Sequence, residues 1–425
     1  MKHSDCQKLA FLVDYDLMKA LNQAVKQRPV VYITRDLERA LGAPLGLKNY
    51  FIVTNYTPFG KRVAQARGGI TLIKNKRLLD TRELLQHPAT KKLLATLKHP
   101  AILVFKNTPE IERLCASLGC RLLNPPAALS NLVEEKISQV DWLGPLAKFL
   151  PPHHILECQK ISFSGTPFIL QFNRAHTGSG TILIQSKRQL EKIKKQFPLR
   201  PARVTAYLTG PMFTNNNVVA KNKILIGNIN YQITGLRPFT RRPFATIGND
   251  WELPTKLLSK KQIAEYHRLA KQIGQRLAAA GWKGLFGIDV LLDRSSDRLY
   301  LIEINARQPA SATYESQLQN RQQDTQRCSS FEAHLAALLG QECSADWITI
   351  TQGAQVVQKR VIGMNKINAA KIKKLEALGC LVTPYTNQEP ESDLLRVQSP
   401  AGIMAAENKF NAVGKKIIAI LKTKK

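Results

Sequence analysis

Between Leu285 and Arg307 the chain reads LFGIDVLLD, RSSD, RLYLIEINAR, and this stretch limits the fold more than any other. Two apolar runs flank the polar turn Arg294-Ser295-Ser296-Asp297, as in an antiparallel hairpin. Each run carries acids that an ordinary buried strand would avoid. Strand residues two apart share a face, so Glu303, Asn305 and Arg307 are expected on one side and Tyr300, Ile302 and Ile304 on the other. A turn centred near Ser296 sets Asp289 opposite Glu303. Facing carboxylates repel, and oxygen ligands so placed suit a hard cation that also holds phosphate oxygens, namely Mg²⁺. An exposed hairpin with solvated acids would not explain the apolar residues around them.

The first 120 or so residues alternate short apolar runs (VVYIT, YFIVT, ITLI, AILVF) with helix-like segments. That pattern predicts a parallel α/β sheet over residues 1–122. NPPAALSNLVEEK then reads as a turn and a helix start, opening a second domain over 123–340. Within it, β-like runs from Ile155 to Leu208 mark a subdomain at about 155–210. Ile263, Tyr266, Leu269, Ile273 and Leu277 mark one face of an amphipathic helix ending at Gly281. From 341 to 425 a small α+β appendage with a basic tail is expected.

A chain of 425 residues that is 44% hydrophobic can build two or three cored domains. No window reaches the roughly 18 uninterrupted apolar residues of a membrane span, and the opening residues carry charges where a signal peptide is apolar. A cytoplasmic protein is expected. Seven cysteines without a CxxC pair indicate neither a disulfide framework nor a zinc cluster. The net charge of +31 and the pI near 10.0 either attract polyanions or lie spread over solvated faces. Nucleic-acid binding is disfavoured because the 7% aromatic residues are dispersed rather than interleaved with a basic patch.

A second constellation is Phe172-Asn173-Arg174-Ala175-His176-Thr177-Gly178-Ser179-Gly180-Thr181, between strand-like runs. Its glycines would let backbone N–H groups turn inward around an anion. It is neither a Walker A loop nor a Rossmann fingerprint.

GIDV, LLD and LYLIEINAR resemble the C-terminal signature of the ATP-grasp superfamily. These are ligases of the carboxylate-amine or carboxylate-thiol type, related in fold to biotin carboxylase and D-alanine–D-alanine ligase. The resemblance implies a parallel α/β domain, two α+β subdomains that sandwich ATP, and ATP with Mg²⁺ (or Mn²⁺) as cofactors. It implies Asp289, Glu303 and Asn305 as metal ligands and Arg307 as the binder of phosphate or the reacting carboxylate. Gly178, Ser179 and Gly180 would cover the phosphates, Thr205, Ala206 and Tyr207 would bond the adenine edge, and Lys136 would hold phosphate. His176 is then a loop residue, since phosphoryl transfer relies on positioning and charge. Arg237, Arg241 and Arg242 are candidates for an anion clamp. The implied reaction activates a small-molecule carboxylate for attack by an amine or another nucleophile.

One position departs from the pattern. Where the family places a lysine ahead of the glycine loop, this chain has Gln171, which as a nucleotide-binding residue can donate a hydrogen bond to phosphate but brings no charge. The phosphate site must then lean on Lys136, Arg174 or Arg307. A nucleotide-binding pseudoenzyme is the alternative reading.

Overall fold

The computed structural model describes residues 16–44, 46–173, 180–324, 326–343, 345–361 and 367–422. Five parallel strands open the fold: β1 (Val30–Ile33), β2 (Tyr50–Asn55), β3 (Ile70–Ile73), β4 (Ala101–Val104) and β5 (Arg121–Leu122). Their order is β3-β2-β1-β4-β5, so the order in which strands are added, though not their direction, reverses between β1 and β4. β1 and β4 are buried on both faces, as their unbroken apolar runs require. One face packs on the helix Ser330–Leu339, whose Phe331 and Leu335 share a core with Tyr32 and Leu103. The other face packs on the domain's own helices through Leu84, Leu94, Ile111 and Cys115.

The next four strands are β6 (His153–Glu157), β7 (Phe168–Phe172), β8 (Thr181–Ile184) and β9 (Pro201–Ala206). They form an antiparallel sheet in the order β6-β9-β7-β8. The helix Lys187–Gln196 is started by Ser186, whose hydroxyl accepts the Gln189 N–H, and it buries Leu190 beside Leu170, Phe172 and Ile184.

The largest sheet contains β10 (Met212–Val219), β11 (Ile224–Leu225), β12 (Asn230–Thr234), β13 (Thr246–Asp250), β14 (Gly284–Asp293) and β15 (Arg298–Asn305). A short parallel pair, β16 (Arg327–Cys328) and β17 (Asp346–Trp347), lies apart from it. The C-terminal strands β18 (Ala354–Lys359), β19 (Leu381–Pro384) and β20 (Asp393–Ser399) continue the same large sheet, which runs β15-β14-β10-β12-β13-β18-β20-β19 with β11 beside β10. The expected C-terminal appendage is therefore hydrogen-bonded into the central sheet through β13 and β18. Asp250 strengthens the join, because its buried carboxylate accepts N–H groups from Glu252 and Leu253 and from Ile403 and Met404.

The amphipathic helix runs over Lys260–Ala279, with Ser259 and Gln262 in a capping box. Its apolar stripe, Tyr266, Leu269, Ile273 and Leu277, packs on Phe213, Phe286, Ile288 and Leu301 of the sheet. Among the described residues no helix is long and apolar enough to cross a membrane, and the six described cysteines are free.

Candidate active site

β14 and β15 pair with Asp289 opposite Glu303 and Gly287 opposite Asn305. One rung further on, Val290 pairs with Leu301, so Ile302 is an extra, unpaired residue. This bulge shifts the alternation expected from the sequence. Leu299, Leu301 and Ile304 face the core, whereas Tyr300 and Ile302 do not join it. A bulge re-aims the side chains around it. Glu303 here keeps 34% of its side chain exposed, beside an Asp289 that is 8% exposed.

Burial raises the Asp289 carboxyl to about 6, and the nearby Glu303 charge adds to the effect. Hydrogen bonds from Thr214 and Gln232 and the charge of Lys136 oppose it. Burial would raise Glu303 as well, but Lys136 and Arg307 outweigh it and hold this carboxyl below its ordinary range. Two carboxylates are thus forced together, one of them short of counter-charge.

Lys136 follows the helix Ala127–Glu134 and is placed by the neighbouring sheet. Asn173, past the end of β7, accepts the Ile137 N–H at 2.9 Å and donates to Glu135 at 2.6 Å. The Lys136 ammonium reaches Glu303 at 3.2 Å, yet it is buried and, among the described residues, has no hydrogen bond of good angle. Arg307 contacts Glu134 at 2.5 Å, and Lys106 meets the other oxygen of Glu134 at 2.6 Å. Lys106 follows β4, so the carboxyl end of the parallel sheet abuts the hairpin. A small cavity at this junction is lined by Phe105, Lys106, Asn107, Ala306, Arg307 and Gln308.

Gln171 ends up beside a charge that the sequence reading did not assign. It pairs across the sheet with Arg203 of β9. The Arg203 Nε and Nη2 groups donate to the Gln171 Oε1 at 3.0 and 2.8 Å. Of the glycine loop, Gly180 and Thr181 are described, with the Gly180 carbonyl accepting the Phe172 N–H. Arg174, His176, Gly178 and Ser179 lie outside the described residues. Thr205 and Ala206 sit within the β9 ladder, where the Ala206 N–H is given to the Pro152 carbonyl. Tyr207 stands past the last rung and is 39% exposed. Arg237, Arg241 and Arg242 are exposed between β12 and β13, on a loop tied to Glu391 through Thr240 and the Arg241 N–H.

The family comparison supplies the decisive observation, a match of residues 133–311 to the ATP-grasp domain. The chain carries an ATP-grasp domain. That span runs from the end of the Lys136 helix through the hairpin, and so takes in Lys136, Gln171, Arg203, Asp289, Glu303 and Arg307. Solved structures resemble the chain over most of its length. Carboxyaminoimidazole ribonucleotide synthase from Aspergillus clavatus, solved with ATP, has 17% identity and a TM-score of 0.62, with 92% of this chain and 97% of that chain covered. N5-carboxyaminoimidazole synthetase from Staphylococcus aureus has 14% identity and a TM-score of 0.61, covering 93% and 97%. L-amino acid ligase from Bacillus licheniformis has 12% identity and a TM-score of 0.61, covering 88% and 93%. Likeness at such identities establishes the fold. No curated protein matches the sequence.

The ATP-grasp hairpin suits a hard cation. Among the described residues no cluster of three or more His, Cys, Asp or Glu side chains stands at metal-binding spacing. The expected set does not need one, since it has two carboxylates and the Asn305 amide oxygen and leaves positions for phosphate oxygens. Burial, reinforced by the Glu303 charge, raises the Asp289 carboxyl, and a cation between the two groups would offset both effects.

Proposed function

We propose that this protein is an ATP- and Mg²⁺-dependent ligase. It activates a small-molecule carboxylate as an acyl phosphate, which an amine or another nucleophile then captures, with release of ADP and phosphate. The observation that carries this reading is the rung pairing Asp289 with Glu303, flanked by Lys136 and Arg307. Asp289, Glu303 and Asn305 would hold Mg²⁺, which supplies neutralisation of the phosphate charge when bound.

The rest of the work belongs to side chains of this chain. Lys136, whose ammonium stands 3.2 Å from Glu303, would offer its charge to a phosphate oxygen. Arg307, held by Glu134 and lining the cavity with Lys106, orients the substrate carboxylate. The carboxylate oxygen attacks the γ-phosphorus as the bond to ADP breaks. Such transfer needs no protein nucleophile, only fixed geometry and preorganised charge. A site at the carboxyl end of the parallel sheet, next to the reversal of strand order between β1 and β4, is where open α/β sheets receive ligands. We place the protein in the cytoplasm and assign it small-molecule rather than nucleic-acid substrates.

Mutation tests the assignment. Glu303→Gln is expected to weaken Mg²⁺-dependent ATP binding by at least about 1.4 kcal/mol, a factor of ten. Lys136→Ala and Arg307→Ala should each lower kcat/KM by roughly 2–4 kcal/mol of transition-state stabilisation. Calorimetry and turnover that stay at wild-type levels in all three would remove the site from this hairpin.

A further inference from the structure

We propose that Arg203 is the phosphate-binding cation of this site in place of the missing lysine, and that Gln171 is its positioning residue. The inference rests on the nucleotide-binding reading above and assigns a residue that reading did not contain. Gln171 and Arg203 face each other on adjacent antiparallel strands, so their side chains leave the same face of the sheet. The Arg203 side chain is 2% exposed, yet no carboxylate among the described residues lies within ion-pair distance of it. Its N–H groups rest on neutral oxygens, two on Gln171 and one, Nη1, on Gln139 at 3.4 Å. Gln139 is itself fully buried and fixed by its own bond to the Val133 carbonyl at 2.9 Å.

Amide oxygens compensate a buried guanidinium only in part, because a buried charge without an opposite charge carries a large desolvation penalty. An anion arriving on this face would relieve it, and the planar fork suits two phosphate oxygens. Burial lowers the Arg203 guanidinium to about 10, and the Glu303 charge acts against that shift, which places the group within electrostatic reach of the hairpin. It remains charged at neutral pH. Gln171 thus has a purpose that a lysine there could not serve. A lysine at 171 would set two like charges face to face in a buried strand pair, whereas glutamine offers its carbonyl oxygen to aim the fork.

Binding of Mg-ADP and of adenosine by the full-length protein separates the possibilities, because adenosine lacks the phosphates. Arg203→Gln should lose at least about tenfold in Mg-ADP affinity while adenosine affinity stays within about twofold. Arg203→Lys, which keeps the charge and loses the fork, should fall between. The exchange Gln171→Lys with Arg203→Gln moves the cation across the strand pair and should recover most of the Mg-ADP affinity. Should Arg203→Gln fail to fold, Arg203→Lys and the exchange variant carry the test. Wild-type protein that binds Mg-ADP, beside variants that bind it equally well, would overturn the role of Arg203 and leave the nucleotide reading standing. Parallel loss of Mg-ADP and adenosine would make Arg203 merely structural and overturn it too. A wild-type protein that binds neither would overturn both.

Discussion

Glu315 shows how strongly single side chains in this protein depend on their partners. It is fully buried in the run that follows the hairpin, and it accepts hydrogen bonds from Asn216 and Asn228. Burial dominates and pushes its carboxyl up to about 7 from an ordinary value near 4.5. Folded, it therefore keeps a proton that the unfolded chain releases. The stability it contributes is fully present below about pH 4.5 and lost as the pH rises through 7, a change on the order of 3 kcal/mol. Chemical denaturation at pH 5 and pH 8 should show the decline, and Glu315→Gln should flatten it. An unchanged slope in that variant would mean the carboxyl titrates normally. At this scale the sequence disclosed the acids but not all the cations. Asp289 and Glu303 stand out because they interrupt apolar runs, whereas Arg203 within β9 and Lys106 past the end of β4 look like any basic residue of a strand or loop until the strands are paired. Arg203 meets Gln171 only through the β7–β9 register, which no local pattern encodes.

The β14–β15 hairpin is the element whose integrity the site requires. Its polar turn was legible, and with it the opposition of Asp289 to Glu303, whereas Tyr300, Ile302 and Ile304 do not share one face as expected. The bulge at Ile302 was not legible, because a single extra residue leaves no mark in a run of apolar side chains and is set by the packing of Leu301 and Ile304. Gly284 begins the hairpin at φ +83°, where a Cβ would lie 2.5 Å from the His334 ring nitrogen that accepts the Leu285 N–H. Gly284→Ala should thus destabilise the protein by about 2–4 kcal/mol, through left-handed strain and displacement of that ring. A melting temperature within about a degree of wild type would show that the ring moves aside freely.

At the scale of the whole molecule, the parallel domain and the C-terminal strands are both built onto the central sheet. The first was legible from its alternating runs. The second read as an appendage because sequence shows strands but not which sheet receives them. β18, β20 and β19 lengthen the central sheet, and Asp250 binds backbone N–H groups on both sides of the join. Deleting residues 342–425 should therefore abolish soluble folding rather than leave a working ATP-grasp body, and limited proteolysis should release no stable fragment ending near residue 341. The reading of this architecture as a carboxylate-activating ligase has a direct test. Full-length protein with Mg-ATP is incubated with pools of small carboxylates carrying ¹⁸O in the carboxyl group, in the presence of amine acceptors, and the released phosphate is weighed by mass spectrometry. The account predicts that a pool stimulating ADP release also transfers ¹⁸O into phosphate, because the carboxylate oxygen becomes the bridge of the acyl phosphate. Carboxylate-stimulated turnover that yields unlabelled phosphate, or AMP and pyrophosphate, would contradict it.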